Sequence, residues 1–188
     1  MIVVFIGPPY AGKNTQGQLL SRELGDIPIF SMGALIREAR ERGEVAFIKA
    51  YKEYSLKGLH LPTAIKFPLL REEMDKVNDG FVLENFPATE DDLIAVNSYL
   101  KNKGKKIDKV IYLKISEDEM KKRFHEFSRG RADDDPHVIL VRKEIQDKDR
   151  IPVINYYKRE NLLLEINGEG EVNKIHGTIM EGLRDKQI

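Results

Sequence analysis

Residues 2–16 read IVVFIGPPYAGKNTQ, and this stretch decides the fold. Its apolar run, Ile2–Ile6, predicts a strand buried on both faces, as in a parallel sheet covered by helices. Gly7 ends the run, and four residues separate it from Gly12 and Lys13. Between a strand and a helix, this spacing predicts a loop whose backbone N–H groups, together with the helix N-terminus, bind phosphate. An ordinary tight turn is the alternative, but motif and context agree and therefore favour a phosphate loop.

Two positions of this loop depart from the usual pattern. A hydroxyl side chain normally follows the lysine directly, whereas here Asn14 follows it and Thr15 comes one place later. Tyr10 stands where most such loops have a small residue. Because a bulky residue rarely adopts a positive φ, we expect Tyr10 either to have ordinary dihedral angles or to strain the loop.

Composition limits the classes of protein to which the chain can belong. A length of 188 residues predicts one domain with room for a small inserted one, and 41% hydrophobic residues are enough for a core. The 31 basic residues balance the 31 acidic ones, so no overall charge favours nucleic acid or a membrane as partner. The absence of cysteine excludes disulfides and cysteine-bound zinc. The N-terminal apolar run is too short for a signal peptide or a membrane span, which predicts a cytoplasmic protein.

Apolar strand segments alternate with helical patterns along the chain. The predicted strands are Ile2–Ile6, Ile27–Phe30, Phe81–Leu83, Lys109–Ile115 and Leu162–Ile166. This alternation predicts an α/β fold with a five-stranded parallel sheet and helices on both faces. Ligands of such sheets bind at the carboxyl ends of the strands. Those ends are occupied here by Gly7, Ser31, Glu84 and Asn167.

The segment between the second and third strands, residues 31–77, predicts a small helical insertion. Two short helices are followed by a third that starts near Pro62, and Pro68 predicts a kink or a break within it. Arg37 is either a solvated helix charge or an anion contact, and the sequence pattern favours the solvated charge. Later in the chain, a separate helix is predicted to start at Ile151.

Charged residues also surround the third and fourth strands. Glu84 is either a surface acid or a carboxylate that holds the water shell of Mg²⁺. Four arginines form either a solvated face or a set that closes over phosphate groups, namely Arg123, Arg129, Arg131 and Arg142. The aspartates at 133–135 could bind a metal, but helix capping before Pro136 or pairing with the arginines is favoured. His125 and His137 lack partners at ligand spacing and are interpreted as surface residues.

Eight short motifs occur in order along nearly the whole chain. They are GPPYAGKNTQ (7–16), SMG with Arg37, GLHLP (58–62), ENFPAT (84–89), Arg123, GRADD with Arg142 eleven residues after Arg131, Pro152 with Tyr156-Tyr157, and Asn167-Gly168. Together they resemble the adenylate kinase family of nucleoside monophosphate kinases, whose phosphate loop has its Thr two places after the Lys. The lid and Tyr-Tyr motifs argue against a P-loop kinase for a small metabolite, which is a more distant alternative.

The resemblance implies a fold and an activity. The fold is the three-layer P-loop NTPase fold as a single kinase domain, 1–188, with a monophosphate-binding insertion at 31–77 and a short lid at 127–137. The activity is transfer of the γ-phosphoryl group of ATP to AMP with Mg²⁺, which yields two ADP. The short lid without cysteine excludes the zinc-bearing form of the family. A monomer that binds neither nucleic acid nor membrane is also implied.

The resemblance also implies roles for individual residues. The implied catalytic residues are Lys13, Arg123, Arg131 and Arg142. The implied ATP contacts are Gly7, Pro8, Pro9, Tyr10, Ala11, Gly12, Lys13, Asn14, Thr15, Gly168 and Gly170. The implied acceptor contacts are Ser31, Met32, Arg37, Leu61, Asn85 and Asp92, and Glu84 would hold Mg²⁺ through water.

The departures from the family pattern lie mainly on the acceptor side. Ala88 replaces the signature Arg that clamps the monophosphate, and loss of such a charged fork costs on the order of 10²-fold in acceptor binding. Asn85 replaces a Gly, Met32 replaces a Thr, and Asp92 stands where an adenine-reading Gln is expected. Phe127 stands where a second lid-approach Arg is common, with Arg129 as a candidate substitute. Glu84 replaces an Asp and is longer by one methylene.

Three functional interpretations follow. The favoured one is a working kinase that uses AMP as acceptor. The second is the same enzyme with GMP or CMP as acceptor, because the Asp92 carboxylate could accept hydrogen bonds from base amino groups. The third is a nucleotide-binding protein with little turnover that acts as a sensor or an assembly partner. The release of ADP with ATP and each monophosphate distinguishes them.

Overall fold

The computed structural model describes residues 1–127 and 136–184, with only the backbone at 136 and 137. Five strands form one parallel sheet, namely β1 (Ile2–Ile6), β2 (Ile29–Ser31), β3 (Phe81–Glu84), β4 (Lys109–Lys114) and β5 (Leu163–Asn167). Their order across the sheet is β2-β3-β1-β4-β5. Val4 in the central strand pairs with Leu83 on one side and Val110 on the other. The predicted α/β fold is confirmed, although β2 starts two residues later than expected, after positive-φ residues at Gly25 and Asp26.

Helices connect and cover these strands. In the described residues they are α1 (Lys13–Glu23), α2 (Met32–Glu41), α3 (Val45–Glu53), α4 (Thr63–Asp75), α5 (Glu90–Asn102), α6 (Glu117–Glu126), α7 (Pro136–Arg159) and α8 (Val172–Arg184). A short 3-10 turn, Ser55–Lys57, lies between α3 and α4. None of the helices in the described ranges is both long and apolar enough to cross a membrane.

Strand β1 lies in the middle of three layers because its side chains alternate between two apolar clusters. Val4 and Ile6 pack in a cluster with buried side chains of α4, α5 and α7. Val3 and Phe5 pack in a second cluster with side chains of α1 and α8. All five residues of β1 are buried. The strand therefore places the loop that follows it at the centre of the carboxyl edge of the sheet.

Helices α2, α3 and α4 lie between β2 and β3 in the chain, over the segment in which an insertion is predicted. They have an apolar cluster of their own, made of Ala39, Phe47, Ala50 and Leu61. A separate cluster gives this segment its own internal packing while it stays joined to the sheet at β2 and β3.

Pro68 lies inside α4 and does not end the helix. A proline at this position removes one backbone hydrogen bond. The helix continues because Lys66, Leu70 and Met74 are buried at a spacing of four residues, so one face of α4 is held by packing on both sides of Pro68.

Pro152 likewise lies inside a helix, and the prediction of a separate helix starting at Ile151 is wrong. Helix α7 runs without interruption from Pro136 to Arg159. Buried Val153 and Tyr157 follow the proline, and their packing in the main core outweighs the lost backbone hydrogen bond.

Candidate active site

A cavity of about 670 Å³ opens at the carboxyl ends of the central strands. It lies between the phosphate loop, the α2–α4 segment and α7, and loop residues 9–15 form one of its walls. Seven predicted residues line the other walls, namely Ser31, Met32, Arg37, Leu61, Glu84, Asn85 and Arg142. A volume of this size is typical of small-molecule sites. The fold therefore brings most of the predicted donor and acceptor contacts to one cavity.

Two glycines allow the phosphate loop to turn tightly from β1 into α1. Gly7 has φ 152°, and a Cβ atom there would lie 2.5 Å from the carbonyl oxygen of Leu113 in β4. Gly12 has φ 88° and precedes the first turn of α1. Both positions exclude an ordinary side chain. Through this turn the N-terminal residues of α1 line the cavity, where the helix end favours an anion.

Lys13 is the first residue of α1 and is only 6% exposed. Its ammonium group donates hydrogen bonds to the carbonyl oxygens of Pro8 at 2.7 Å and Gly7 at 2.9 Å. Carbonyl oxygens hold a buried ammonium, and a phosphate oxygen is a stronger partner because it is charged. The contacts keep Lys13 at the cavity wall in the position expected of a donor-phosphate ligand.

Tyr10 has φ 61°, so the structure shows the strained alternative for this residue. Its ring is buried and packs edge-on against Phe124, with 5.7 Å between the ring centroids. Met120 and Ile139 complete the cluster around it. A left-handed conformation costs about 1–2 kcal/mol for a residue with a side chain, and the packing of the ring offsets this cost.

Arg123 lies beside the phosphate loop and does not line the cavity. Its guanidinium group donates to Glu119 at 2.7 Å, to the carbonyl oxygen of Tyr10 at 3.2 Å and to that of Gly168 at 2.8 Å. These contacts tie the loop to the turn between β5 and α8. They place the guanidinium group beside the donor loop, and the catalytic role implied for Arg123 stays a prediction.

Some predicted ATP contacts also lie away from the cavity lining. The carbonyl groups of Gly7 and Pro8 face Lys13, and neither residue lines the cavity. Gly168 and Gly170 lie in the turn before α8, and the carbonyl group of Gly168 is occupied by Arg123.

The backbone conformation of Asn85 explains why Asn can replace the Gly of the family pattern. Its φ of 59° lies in the left-handed region, which Asn tolerates better than other residues with a side chain. The position therefore keeps the backbone shape that suits Gly, and it lines the cavity beside Ala88. Ala88 has only a methyl group, so it leaves free the space that the Arg of the family pattern would fill.

The structure gives Asp92 a role other than reading a base. Its side chain is fully buried and does not line the cavity. One carboxylate oxygen accepts a hydrogen bond from Thr63, and the other accepts from the Lys66 ammonium at 2.7 Å and from the Ala88 N–H at 3.1 Å. The backbone N–H of Asp92 donates to the Thr89 hydroxyl, which caps the start of α5. With both oxygens engaged by the protein, the carboxylate lacks the exposure that base recognition requires.

Glu84 ends β3, lines the cavity and lies 3.4 Å from the Asn14 amide nitrogen. Within the described residues, no group of three or more His, Cys, Asp or Glu side chains is arranged to bind a metal directly. Magnesium commonly keeps several waters and needs only one or two carboxylates. A single carboxylate facing the cavity beside the start of α1 therefore fits a hydrated ion shared with nucleotide phosphates.

Of the two arginines predicted at and after the lid, the structure describes Arg142 but not Arg131. Arg142 of α7 lines the cavity and donates to the carbonyl oxygen of Ser55 at 3.4 Å. Arg131 lies outside the described residues, as do Arg129, the three aspartates and most of the predicted lid. Phe127 is 64% exposed.

Sequence reasoning missed three basic residues that line the cavity, namely His60, Lys66 and Arg150. Lys66 is 3% exposed and Arg150 is 5% exposed. Charged residues within helical patterns are normally solvated, so no sequence signal marked Arg150 as buried. The position of Lys66 four residues before Leu70 was the available hint, because it falls on the buried face of α4.

His60 is surrounded by these charges. Burial is the largest effect on its pKa, which falls from 6.5 to about 4, and Lys66, Arg150 and Arg142 lower it further while Asp92 opposes them. Its Nε2 atom lies 3.8 Å from the Asp149 carboxylate. The imidazole is therefore neutral at pH 7 within a cationic wall.

The parallel sheet, the phosphate loop and the cavity at the strand ends define a P-loop protein that handles nucleotide phosphates. Comparison with known proteins makes this specific, because the model of the family described as adenylate kinase matches residues 5–162. The adenylate kinase of Leptospira biflexa serovar Patoc is 31% identical over 185 residues, which cover 96% of this chain and 98% of that protein. That of Corynebacterium urealyticum is 38% identical over 178 residues, with 93% and 94% covered.

The chain belongs to the adenylate kinase family. It is accordingly a nucleoside monophosphate kinase, a phosphotransferase that binds ATP as phosphoryl donor.

Proposed function

We propose that the protein transfers the γ-phosphoryl group of ATP to AMP and produces two molecules of ADP. The observation that carries this proposal is that one cavity is lined by the phosphate loop on one side and by α2 and α4 on the other. Phosphoryl transfer needs both substrates in one water-poor space with their reacting oxygens in line. The relatives are named adenylate kinases, which supports AMP as the acceptor.

The donor side would bind ATP through Lys13 and the N–H groups at the start of α1. Lys13 would leave the carbonyl oxygens of Gly7 and Pro8 for the donor phosphates, which offer a charged partner at the same wall. Glu84 would hold the water shell of Mg²⁺, which supplies charge neutralisation between the phosphate groups. Arg123 would keep the loop in shape through the carbonyl group of Tyr10.

The acceptor side would use cations that line the opposite walls. Arg37 on α2 and Arg142 on α7 both reach the cavity, so each can neutralise phosphate charge that develops during transfer. The contact of Arg142 with Ser55 connects α7 to the α2–α4 segment. This contact would help to exclude water, which would otherwise accept the phosphoryl group.

The second interpretation, GMP or CMP as acceptor, is not favoured by the structure. It depended on a free Asp92 carboxylate, and that carboxylate is buried against Lys66, Thr63 and Ala88. The monomeric state and the cytoplasmic location stay predictions.

The proposal is tested by coupled ADP release with ATP and each of AMP, GMP, CMP, UMP and dTMP. We expect AMP to give the highest kcat/KM, and Lys13→Met to lower it by at least about 10³-fold because donor charge is no longer neutralised. Lys148→Met is the matched control, since Lys148 is exposed and pairs only with Glu144 in the described contacts. A higher kcat/KM with another monophosphate would refute AMP as the acceptor, and ATP binding without turnover of any acceptor would support the third interpretation.

A further inference from the structure

The cavity wall at Ala88 lacks the guanidinium group that clamps the acceptor in the family pattern. Ala88 lines the cavity, and its N–H group is held by Asp92 at 3.1 Å. The backbone there is fixed, yet only a methyl group faces the space. An acceptor phosphate with two negative charges would need compensation from another cation.

Arg150 on α7 is a cation that reaches the same cavity from a different element. Its side chain is 6% exposed, and its guanidinium group donates to the carbonyl oxygen of Gly7 at 3.3 Å. That oxygen also accepts the hydrogen bond from Lys13 at 2.9 Å. Two cationic side chains thus converge on one carbonyl oxygen at the base of the phosphate loop.

Within the part of the chain that the structure describes, the charge of Arg150 is only partly neutralised. Its guanidinium group donates to one oxygen of Asp147 at 2.6 Å, and Lys143 donates to the other oxygen at 2.9 Å. One carboxylate therefore serves two cations and leaves one positive charge in excess. Since a buried charge without full compensation is costly, an anion that binds beside Arg150 gains more than it would at the surface.

The position of Arg150 also fits the acceptor rather than the outer part of ATP. On one side it contacts Gly7, where the phosphate loop starts. On the other side it lines the same cavity as His60 and Lys66, which belong to the segment between β2 and β3. In-line transfer places the acceptor phosphate between the donor phosphates and the acceptor-binding segment.

We infer that Arg150 binds the phosphate group of the acceptor nucleotide and takes over the role that Ala88 cannot perform. The inference rests on the proposed function in so far as the ligand is a nucleoside monophosphate. The guanidinium group of Arg150 can donate two hydrogen bonds to phosphate oxygens. The competing explanation is structural, in which Arg150 only holds Gly7 and thereby the donor loop.

The test compares Arg150→Met, Arg150→Lys and the matched control Lys143→Met. Lys143 shares Asp147 with Arg150 but does not line the cavity, so its replacement disturbs the same carboxylate without removing a cavity cation. Each protein is assayed for the KM of AMP and the KM of ATP. Ala88→Arg is then made in the wild-type and Arg150→Met backgrounds.

We expect Arg150→Met to raise the KM of AMP about 10- to 100-fold with less than about a threefold change in the KM of ATP. Arg150→Lys should give an intermediate increase because it keeps the charge and loses the fork, and it serves if Arg150→Met does not fold. Lys143→Met should leave both constants within about twofold. Ala88→Arg should tighten AMP binding more in the Arg150→Met background than in the wild type.

Three results would overturn the inference. They are an unchanged KM of AMP in Arg150→Met, an equal rise in the KM of ATP, and the same effect of Ala88→Arg in both backgrounds. The monophosphate panel with the wild-type protein shows separately whether the proposed function fails. If another monophosphate is the best acceptor, its KM replaces that of AMP. If none turns over, calorimetry replaces the kinetic constants. The dissociation constants of ATP and of diadenosine pentaphosphate, which joins two adenosines through five phosphates, are then measured for the wild type and for Arg150→Met.

Discussion

At the scale of single residues, the phosphate loop and the ENFPAT motif tolerate side chains at left-handed positions. Tyr10 does so because its ring packs against Phe124, and Asn85 does so because Asn is well suited to this conformation. The sequence identified both positions as unusual. It could not choose between the two alternatives for Tyr10, because the outcome depends on α6 and α7, which lie more than a hundred residues away.

His60 gives a residue-scale prediction about stability and pH. Because its pKa is about 4 in the folded protein and 6.5 as its ordinary value, the unfolded chain takes up the proton first. The free energy of unfolding is therefore not lowered by His60 above pH 6.5, and it falls as the pH is lowered towards 4. Between pH 7 and 4.5 we expect His60 to contribute a loss on the order of 2 kcal/mol in the free energy of unfolding.

Urea denaturation of the wild type and His60→Gln at several pH values measures this contribution. Between pH 7 and 4.5 the free energy of unfolding of the variant should fall by about 2 kcal/mol less than that of the wild type. His125→Gln, at an exposed position of α6, controls for the loss of a histidine elsewhere. Parallel stability curves for the wild type and His60→Gln would show that His60 does not titrate in the predicted window.

At the scale of elements, α4 and α5 are joined by a buried ion pair. Lys66 of α4 is 3% exposed and Asp92 of α5 is fully buried, and their charged atoms are 2.7 Å apart. Helix patterns predicted both helices from the sequence, but they assign charged residues to the solvent side. Only the packing of α4 against α5 shows that these two charges face each other.

The ion pair leads to a prediction for single and double variants. Asp92→Asn should lower the free energy of unfolding by about 3–5 kcal/mol, because it leaves the Lys66 ammonium buried without a counter-charge. The double variant Lys66→Met, Asp92→Leu should recover most of this loss, since no isolated charge remains. Chemical denaturation measures both. Glu144→Gln, which breaks an exposed pair with Lys148, should cost less than about 1 kcal/mol. A double variant as unstable as Asp92→Asn would contradict the explanation.

At the scale of the whole molecule, the sheet and its ligand-binding edge could be predicted from the sequence, because both rest on local patterns. The apolar run of β1 and the spacing of Gly7, Gly12 and Lys13 need only neighbouring residues. The buried cations of the cavity wall could not be predicted in the same way, since Lys66 and Arg150 come from the distant helices α4 and α7. Arg150 shows the difficulty most clearly, because it precedes a proline that indicated a helix start and instead lies within the long helix α7.

The central claim is that this cavity transfers a phosphoryl group from ATP to AMP. The most direct measurement is ³¹P NMR of the protein with equimolar ATP, AMP and Mg²⁺. Our account predicts two molecules of ADP for each ATP consumed, no phosphate release in the absence of AMP, and loss of the reaction in Lys13→Met. Formation of inorganic phosphate at the same rate with and without AMP would contradict it.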